Sequence, residues 1–282
     1  MSVYESAQEA SKPVADDYLD PEDGFYHCGV CGEPKQAWWD FLGRQIVRPR
    51  MCRCRREAEA EKQEYQNDQR RSLMRDDCFS EPSFAQNRFD KDSYPDSELG
   101  ISSRNYVDNF AHFYKTGRGL IFTGTVGTGK TFYSACIANA LIDRMHTVKM
   151  TSISQCVGDI LANRLSENEY IDYLRKYDLV IFDDLGVERN TPVMNEKLYR
   201  IINARYSSQK PMIITTNITM NELKRIDGVG VDCTRVYDRI LAACLPIGCD
   251  GDNVRRQQAR EAYIADMKIL RGERNDTDLP DG

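Results

Sequence analysis

The sequence predicts an α/β fold, a parallel sheet covered by helices on both faces, with a small cysteine-bound module in front of it. Three observations predict this. Short apolar runs alternate with helical stretches from about residue 105 onward. A glycine-rich turn, Gly124-Thr-Val-Gly-Thr-Gly-Lys-Thr131, follows one of those runs and opens a helix reaching about Asp143. Four of the ten cysteines sit in two close pairs, Cys28 with Cys31 and Cys52 with Cys54.

The 282 residues give room for one good-sized core plus a smaller module. A hydrophobic fraction of 41% and a charged fraction of 29% are those of a globular protein. The net charge of −6 excludes a basic nucleic-acid coat, so any contact with nucleic acid must come from a local patch. No apolar run approaches a membrane span, and the acidic, polar N-terminus is unlike a signal or transit peptide. A cytoplasmic protein with no membrane contact is the expectation. In that setting the clustered cysteines point to a metal rather than to disulfides.

Residues 1–23 carry seven acidic side chains and one lysine without apolar periodicity, as a flexible arm would. The module spans 24–76. Cys28-Gly-Val-Cys31 has the spacing of a zinc knuckle, where one tight turn places two thiolates on adjacent tetrahedral vertices. Cys52-Arg-Cys54 is tighter than the usual second pair. Four thiolates leave no open position, so a Zn²⁺ here is structural. His27 could replace one thiol, and four reduced, buried cysteines are the plainer alternative. Arg44, Arg48, Arg50, Arg53, Arg55 and Arg56 occur with no acid before Glu57, just after Trp38, Trp39 and Phe41. Such a set could bind single-stranded nucleic acid, dock an acidic protein, or form a solvated basic face with the rings packed round the metal. Residues 57–75 read as an exposed helix. Pro82, Pro95 and Gly100 mark 77–104 as a linker wrapping onto the main domain. Tyr106 to Tyr114 has helical spacing, with Asn105 or Ser103 as its cap. The main domain runs over 105–272, and 273–282 reads as a disordered tail.

Its strands are expected at Leu120–Thr123, Val148–Thr151, Leu179–Phe182, Met212–Thr215 and Leu245–Ile247. Ligands of such sheets bind at the carboxyl ends of the strands, and the chemical motifs fall there. Glycine turns let the loop point its N–H groups at phosphate oxygens, beside a helix N-terminus. Gly124, Thr125, Val126, Gly127, Thr128, Gly129, Lys130, Thr131 and Phe132 are therefore assigned to ATP, with Lys130 on the outer phosphates. Thr131 and Asp183 are assigned to Mg²⁺, and Asp184 to orienting or deprotonating the attacking water. Many ATPases of this type carry Glu at the second acid, and the shorter Asp suggests slow turnover. Asn217, at the end of the next strand, is the candidate for holding that water. Arg235 and Arg239 lie four apart on one helix face, suited to phosphate or to ordinary surface pairing.

On these motifs the chain resembles bacterial and phage replicative helicase loaders of the DnaC/DnaI type, which are AAA+ ATPases. Gly124–Thr131, Leu179–Gly186 with its Asp-Asp-Leu-Gly, Ile214–Asn217 and Arg235–Arg239 carry the resemblance, which covers about 25–270. The resemblance implies an ATPase core without a C-terminal lid, leaving Arg255 and Arg256 as the candidates for a lid arginine. It implies that the cysteine module grips a hexameric helicase, and that ATP-bound homo-oligomers help place the helicase on single-stranded DNA. Arg239 matches the family's Asp-Arg position and would act on a neighbour's ATP, with Arg235 as runner-up. An insertion at Ser152–Tyr177 would line a single-strand channel, through Arg164, Arg175 and Lys176 with Tyr170 and Tyr173 for stacking. An amphipathic cover helix is the alternative there. Two rival functions remain: an IstB-type transposition helper, and an ATP-gated adaptor with little hydrolysis.

Overall fold

The computed structural model describes residues 16–162, 166–186, 192–219, 222, 231–249 and 254–271. The chain divides into two compact units, Met1–Arg70 and Arg71–Gly282. In the first, β1 (Tyr18–Leu19) pairs antiparallel with β2 (Tyr26–His27), and β3 (Gln36–Phe41) with β4 (Arg44–Pro49). Phe25, Cys28 and Cys52 are its buried apolar side chains among the described residues, whereas Trp38, Trp39, Phe41 and Leu42 are exposed. Such a core is too small to hold a module by hydrophobic burial alone. The helix α1 (Arg53–Cys78) runs through the boundary between the units, rich in charge and free of Gly and Pro, with only Cys78 buried.

The second unit is built on five parallel strands: β5 (Gly119–Thr123), β6 (Val148–Ser152), β7 (Leu179–Leu185), β8 (Met212–Thr216) and β9 (Cys244–Gly248). Their order is β6-β7-β8-β5-β9, so the strand carrying the glycine-rich loop is flanked by β8 and β9. Both faces are apolar, and the two-residue period of a strand divides them. Leu120, Phe122, Leu179, Ile181 and Ile213 join one core cluster, which also holds residues of α2 (Glu98–Asp108), α3 (Phe110–Thr116) and α4 (Lys130–Asp143). Ile121, Val180, Phe182, Met212 and Ile214 join the other. There they meet α5 (Ile153–Leu161), α6 (Glu167–Lys176), α7 (Pro192–Ser207) and α8 (Val231–Ala243). β9 pairs only with β5, and an edge strand tolerates the missing N–H of Pro246. A single helix, α9 (Val254–Leu270), follows β9 among the described residues.

Two local expectations need correction. The helix before the sheet begins at Glu98, capped by the Ser97 hydroxyl accepting from the Gly100 N–H, not at Asn105 or Ser103. It stops at Asp108 and restarts at Phe110, because Asn109 leaves helical geometry and its amide donates back to the Asn105 carbonyl at 2.9 Å. Residues 77–104 lie against the main domain, sending Cys78, Phe79 and Leu99 into the first core cluster. No helix among the described residues is long and apolar enough to cross a membrane.

Candidate nucleotide site and cysteine cluster

The glycine-rich loop leaves β5 at Gly124 with φ 134°, and a Cβ there would lie 2.5 Å from the Cys249 carbonyl oxygen. Gly129, at φ 93°, closes the loop where α4 begins, and its Cβ would press on the Tyr133 ring at 3.3 Å. Only glycine meets both demands. Between them Thr128 donates its hydroxyl to the Thr125 carbonyl at 3.0 Å. Lys130, 5% exposed, donates its ammonium to the carbonyls of Gly124 at 2.8 Å and Thr125 at 2.6 Å. The first residue of the helix thus carries a positive charge to the inside of the loop, where the open N–H groups of the helix N-terminus also face. Phe132, assigned to the ligand from sequence, packs its ring on the first core cluster and on Tyr133, so its main chain is what remains for phosphate. Val126 is exposed in the loop.

Across from the loop, Thr131 Oγ1 donates to Asp183 Oδ1 at 3.1 Å, bringing the two expected Mg²⁺ ligands together. Thr215 donates to the same carboxylate oxygen at 2.6 Å and accepts from the Asp184 N–H at 2.8 Å. Burial raises the Asp183 carboxyl above the usual range, against the opposing pull of Thr215, Thr131 and Lys130. A divalent cation beside it would offset that burial, so the residues present fit Mg²⁺. The register of β7 against β8 shifts between Phe182 and Leu185, a bulge that re-aims the two acids. Asp184 sits there at φ 55°. Short polar Asp tolerates this left-handed conformation better than Glu, a physical reason for Asp at this position.

Asn217 is exposed just beyond β8, while Thr216 ties the strand end by donating to the Leu185 carbonyl at 2.8 Å. Arg235 is exposed. Arg239 turns to α7: its Nε donates to Asn203 at 2.6 Å and its guanidinium lies 4.8 Å over the Tyr199 ring. Among the described residues it makes no bond to Lys130, Thr131 or the two acids. Arg256 is exposed, and the Arg255 side chain lies outside the described residues, as does Arg164. Tyr170 is 4% exposed within the second core cluster, and Tyr173 is tied to Tyr177 and Asp77. The expected stacking pair is therefore core and hydrogen-bonded structure. Arg175 pairs with Asp172 at 2.8 Å, and Lys176 is exposed.

The four cysteine sulfurs lie within 4.8 Å of one another, with Cys28–Cys54 at 3.6 Å and Cys52–Cys54 at 3.5 Å. Thiolates ~2.3 Å from a tetrahedral zinc are roughly 3.8 Å apart, so the cluster has the right dimensions. The turn between the first pair is closed by the Gly32 N–H on the Cys28 carbonyl at 2.8 Å. N–H groups of Cys54 and Glu33 pull the Cys31 thiol down to about 6, while Cys52 and Cys28 push Cys54 up to about 12. Like charges keep the four from ionising together, and a divalent cation removes that opposition. His27 is not a fifth member of the set. Its Nδ1 is 2.9 Å from the Gly32 carbonyl and its Nε2 is 2.9 Å from Asp23, which raises its pKa.

A family model for IstB-like ATP binding proteins matches residues 101–262. The chain is 30% identical over 164 residues to the replicative helicase loader DnaI of Bacillus subtilis, covering 53% of this chain and 52% of the relative. It is 29% identical over 142 residues to the replicative helicase loader DnaC of Escherichia coli K12, covering 49% and 55%. An ATP-binding protein in an insertion sequence of Mycobacterium tuberculosis is 27% identical over 142 residues, covering 49% and 56%. The chain spans about half the length of the curated relatives it matches. Among solved structures, a DnaI crystal structure superposes with a TM-score of 0.53 at 24% identity, covering 63% of this chain and 95% of that one. The DnaC helicase loader gives 0.50 at 20% identity, covering 60% and 99%, and supports the same fold. With the glycine-rich loop, paired acids and five-stranded parallel sheet in place, the chain belongs to the IstB-like ATP-binding family.

Proposed function

We propose that the chain is a Mg²⁺-dependent ATPase that loads a replicative DNA helicase onto single-stranded DNA. The observation that carries the ATPase part is the Thr131–Asp183 hydrogen bond of 3.1 Å, which joins the phosphate loop to the acidic strand end. Lys130 and the loop N–H groups hold the outer phosphates, and Thr131 and Asp183 hold the metal, whose charge favours phosphoryl transfer when bound. Asp184 takes the proton of the attacking water, with Asn217 positioning that water from the neighbouring strand end. Arg239, which packs on Tyr199 and bonds Asn203 of its own chain, completes the site of an adjacent subunit in an ATP-bound oligomer once that contact is exchanged.

The loader part rests on the relatives named as helicase loaders and on the cysteine module. Zn²⁺ on Cys28, Cys31, Cys52 and Cys54 fixes that module as a helicase-docking domain. A transposition-helper role is favoured by one observation, the insertion-sequence relative. Co-purification with the replicative helicase of the source cell, against co-purification with a transposase, separates the two. Steady-state ATP hydrolysis with and without single-stranded DNA tests the enzyme. Binding without turnover in both conditions would leave an ATP-gated adaptor.

A further inference from the structure

Among the described residues of Ser152–Tyr177, an exposed aromatic ring and an unpaired arginine do not coincide, because Tyr170 is buried and Arg175 is paired. On the hairpin β3–β4 they do. Its register sets Ala37 opposite Arg48, Trp39 opposite Ile46 and Phe41 opposite Arg44. Alternation along a strand then gathers Trp39, Phe41, Arg44 and Arg48 on one face. Trp39 is 57% exposed and Phe41 56%. The Arg48 guanidinium lies 5.5 Å over the Trp39 ring, and neither Arg44 nor Arg48 has an acidic partner among the described residues. Asp40, the one acid of the hairpin, points to the opposite face and accepts the Gly43 N–H at 3.0 Å. Trp38 also lies on that opposite face, 5.7 Å from Phe25. At the tip, Leu42 is 89% exposed at φ 54°. An apolar side chain in that conformation is strained where Gly would not be, and it presents a wedge to whatever binds.

We propose that this face of the hairpin binds single-stranded nucleic acid, with bases stacked on Trp39 and Phe41 and phosphates on Arg44 and Arg48. The rings are spaced two residues apart along one strand, about 6.8 Å, and each has an arginine within reach. Stacking on a ring is indifferent to base identity, and the absence of any acid on this face suits a polyanion. The site stands apart from the helicase-docking reading, since it needs neither ATP nor a helicase.

The chain contains two tryptophans, Trp38 and Trp39, so intrinsic tryptophan fluorescence reports on the hairpin alone. The zinc-loaded full chain is titrated, without ATP, with an oligothymidylate about twenty nucleotides long. A saturable quench that weakens with salt is expected. Trp38→Phe should keep the quench. Trp39→Phe should lose it while binding, followed by anisotropy of a labelled oligonucleotide, stays within about twofold because a stacking ring remains. Trp39→Ala should weaken binding roughly tenfold. Arg44→Gln with Arg48→Gln should flatten the salt dependence by about 0.7 for each arginine replaced. No quench in the parent, a quench carried by Trp38, or an unchanged salt slope in the arginine variant overturns the proposal. So does loss of helicase binding in that variant with oligonucleotide affinity intact, which would give the face to a protein partner.

Discussion

The two units are held together by opposite means. In the larger one, two apolar clusters sandwich a sheet whose strands contribute alternate side chains to each. In the smaller one, two short antiparallel pairs accompany four clustered sulfurs, with little buried among the described residues apart from Phe25, Lys35, Cys28 and Cys52. Distributed burial, about 1.5–3 kcal/mol for each large side chain, leaves the larger unit able to carry unfavourable groups at its site. A buried Lys130, a half-buried Asp183 and a left-handed Asp184 are all tolerated there. The smaller unit has no such reserve. Its order depends on a few atoms, and it should fail as a whole.

The largest expected effect breaks the molecule along that line. Protein prepared without chelator should hold one Zn²⁺ per chain by elemental analysis. Stripping it should unfold the cysteine module, since structural zinc contributes about 10–16 kcal/mol in small modules. Limited proteolysis should then cut within residues 24–76 while ATP binding is retained. Cys52→Ala should behave alike. A metal-free chain whose cysteine module resists protease like the parent would show that the cysteines act only as small apolar residues.

Within the larger unit the expected losses are of function rather than fold. Lys130→Ala should reduce turnover by roughly 10²–10³-fold or more, because it removes the charge opposite the outer phosphates. Asp184→Asn should retain nucleotide binding and lose turnover by about 10²–10⁴-fold, since it keeps shape without the base. Calorimetry should show thermal midpoints within a few degrees of the parent for both. Parent-like hydrolysis in both variants would remove these residues from the site.

Arg239 extends the same contrast across subunits. Arg239→Ala should bind ATP and lose about 10³-fold in turnover. Mixing it with Lys130→Ala protein, which is dead at its own site but carries Arg239, should restore part of the activity. No recovery in assemblies verified by light scattering would leave Arg239 as a brace between α7 and α8.

The distribution of burial also explains what could be read from sequence. Leu120–Phe122, Leu179–Phe182 and Met212–Ile214 announce doubly covered strands because an unbroken apolar run survives any detail of packing. The loop and the paired acids stand out in the sequence because a phosphate and a metal would constrain residue type at fixed spacing. The Cys28 and Cys52 pairs are legible for the same reason. What failed depends on three-dimensional context. Tyr170 has the composition of a stacking residue, and only the fold of α5 and α6 over β7 shows it as core. Arg205 looks like a surface cation, yet it is 2% exposed, donating to the carbonyls of Leu174, Tyr177, Asp178 and Pro211. Burial pushes its pKa down to about 10. The break at Asn109 is invisible to helical periodicity, since Tyr106, Phe110 and Phe113 keep their spacing across it.

The smallest expected effect concerns Thr215, which the Thr215–Asn217 motif hides behind its more conspicuous amide. Its hydroxyl donates to Asp183 and accepts from the Asp184 N–H, so one oxygen fixes both acids. Thr215→Val keeps the volume and the strand preference and removes only those two bonds. An unpaired N–H on a part-buried strand end costs about 1–3 kcal/mol, which a unit with two full core clusters should absorb without unfolding. Asp183 would lose the hydrogen bond that most favours its ionised form, and burial would raise its pKa further. The metal would then compete with a proton for the carboxylate. Turnover should fall roughly tenfold at neutral pH, recover in part as pH or Mg²⁺ concentration rises, and leave nucleotide binding near the parent's. Thr215→Ser, which restores the hydroxyl, should return most of the activity. A Thr215→Val enzyme with unchanged Mg²⁺ dependence would show that Asp183 is held by Thr131 and Lys130 alone.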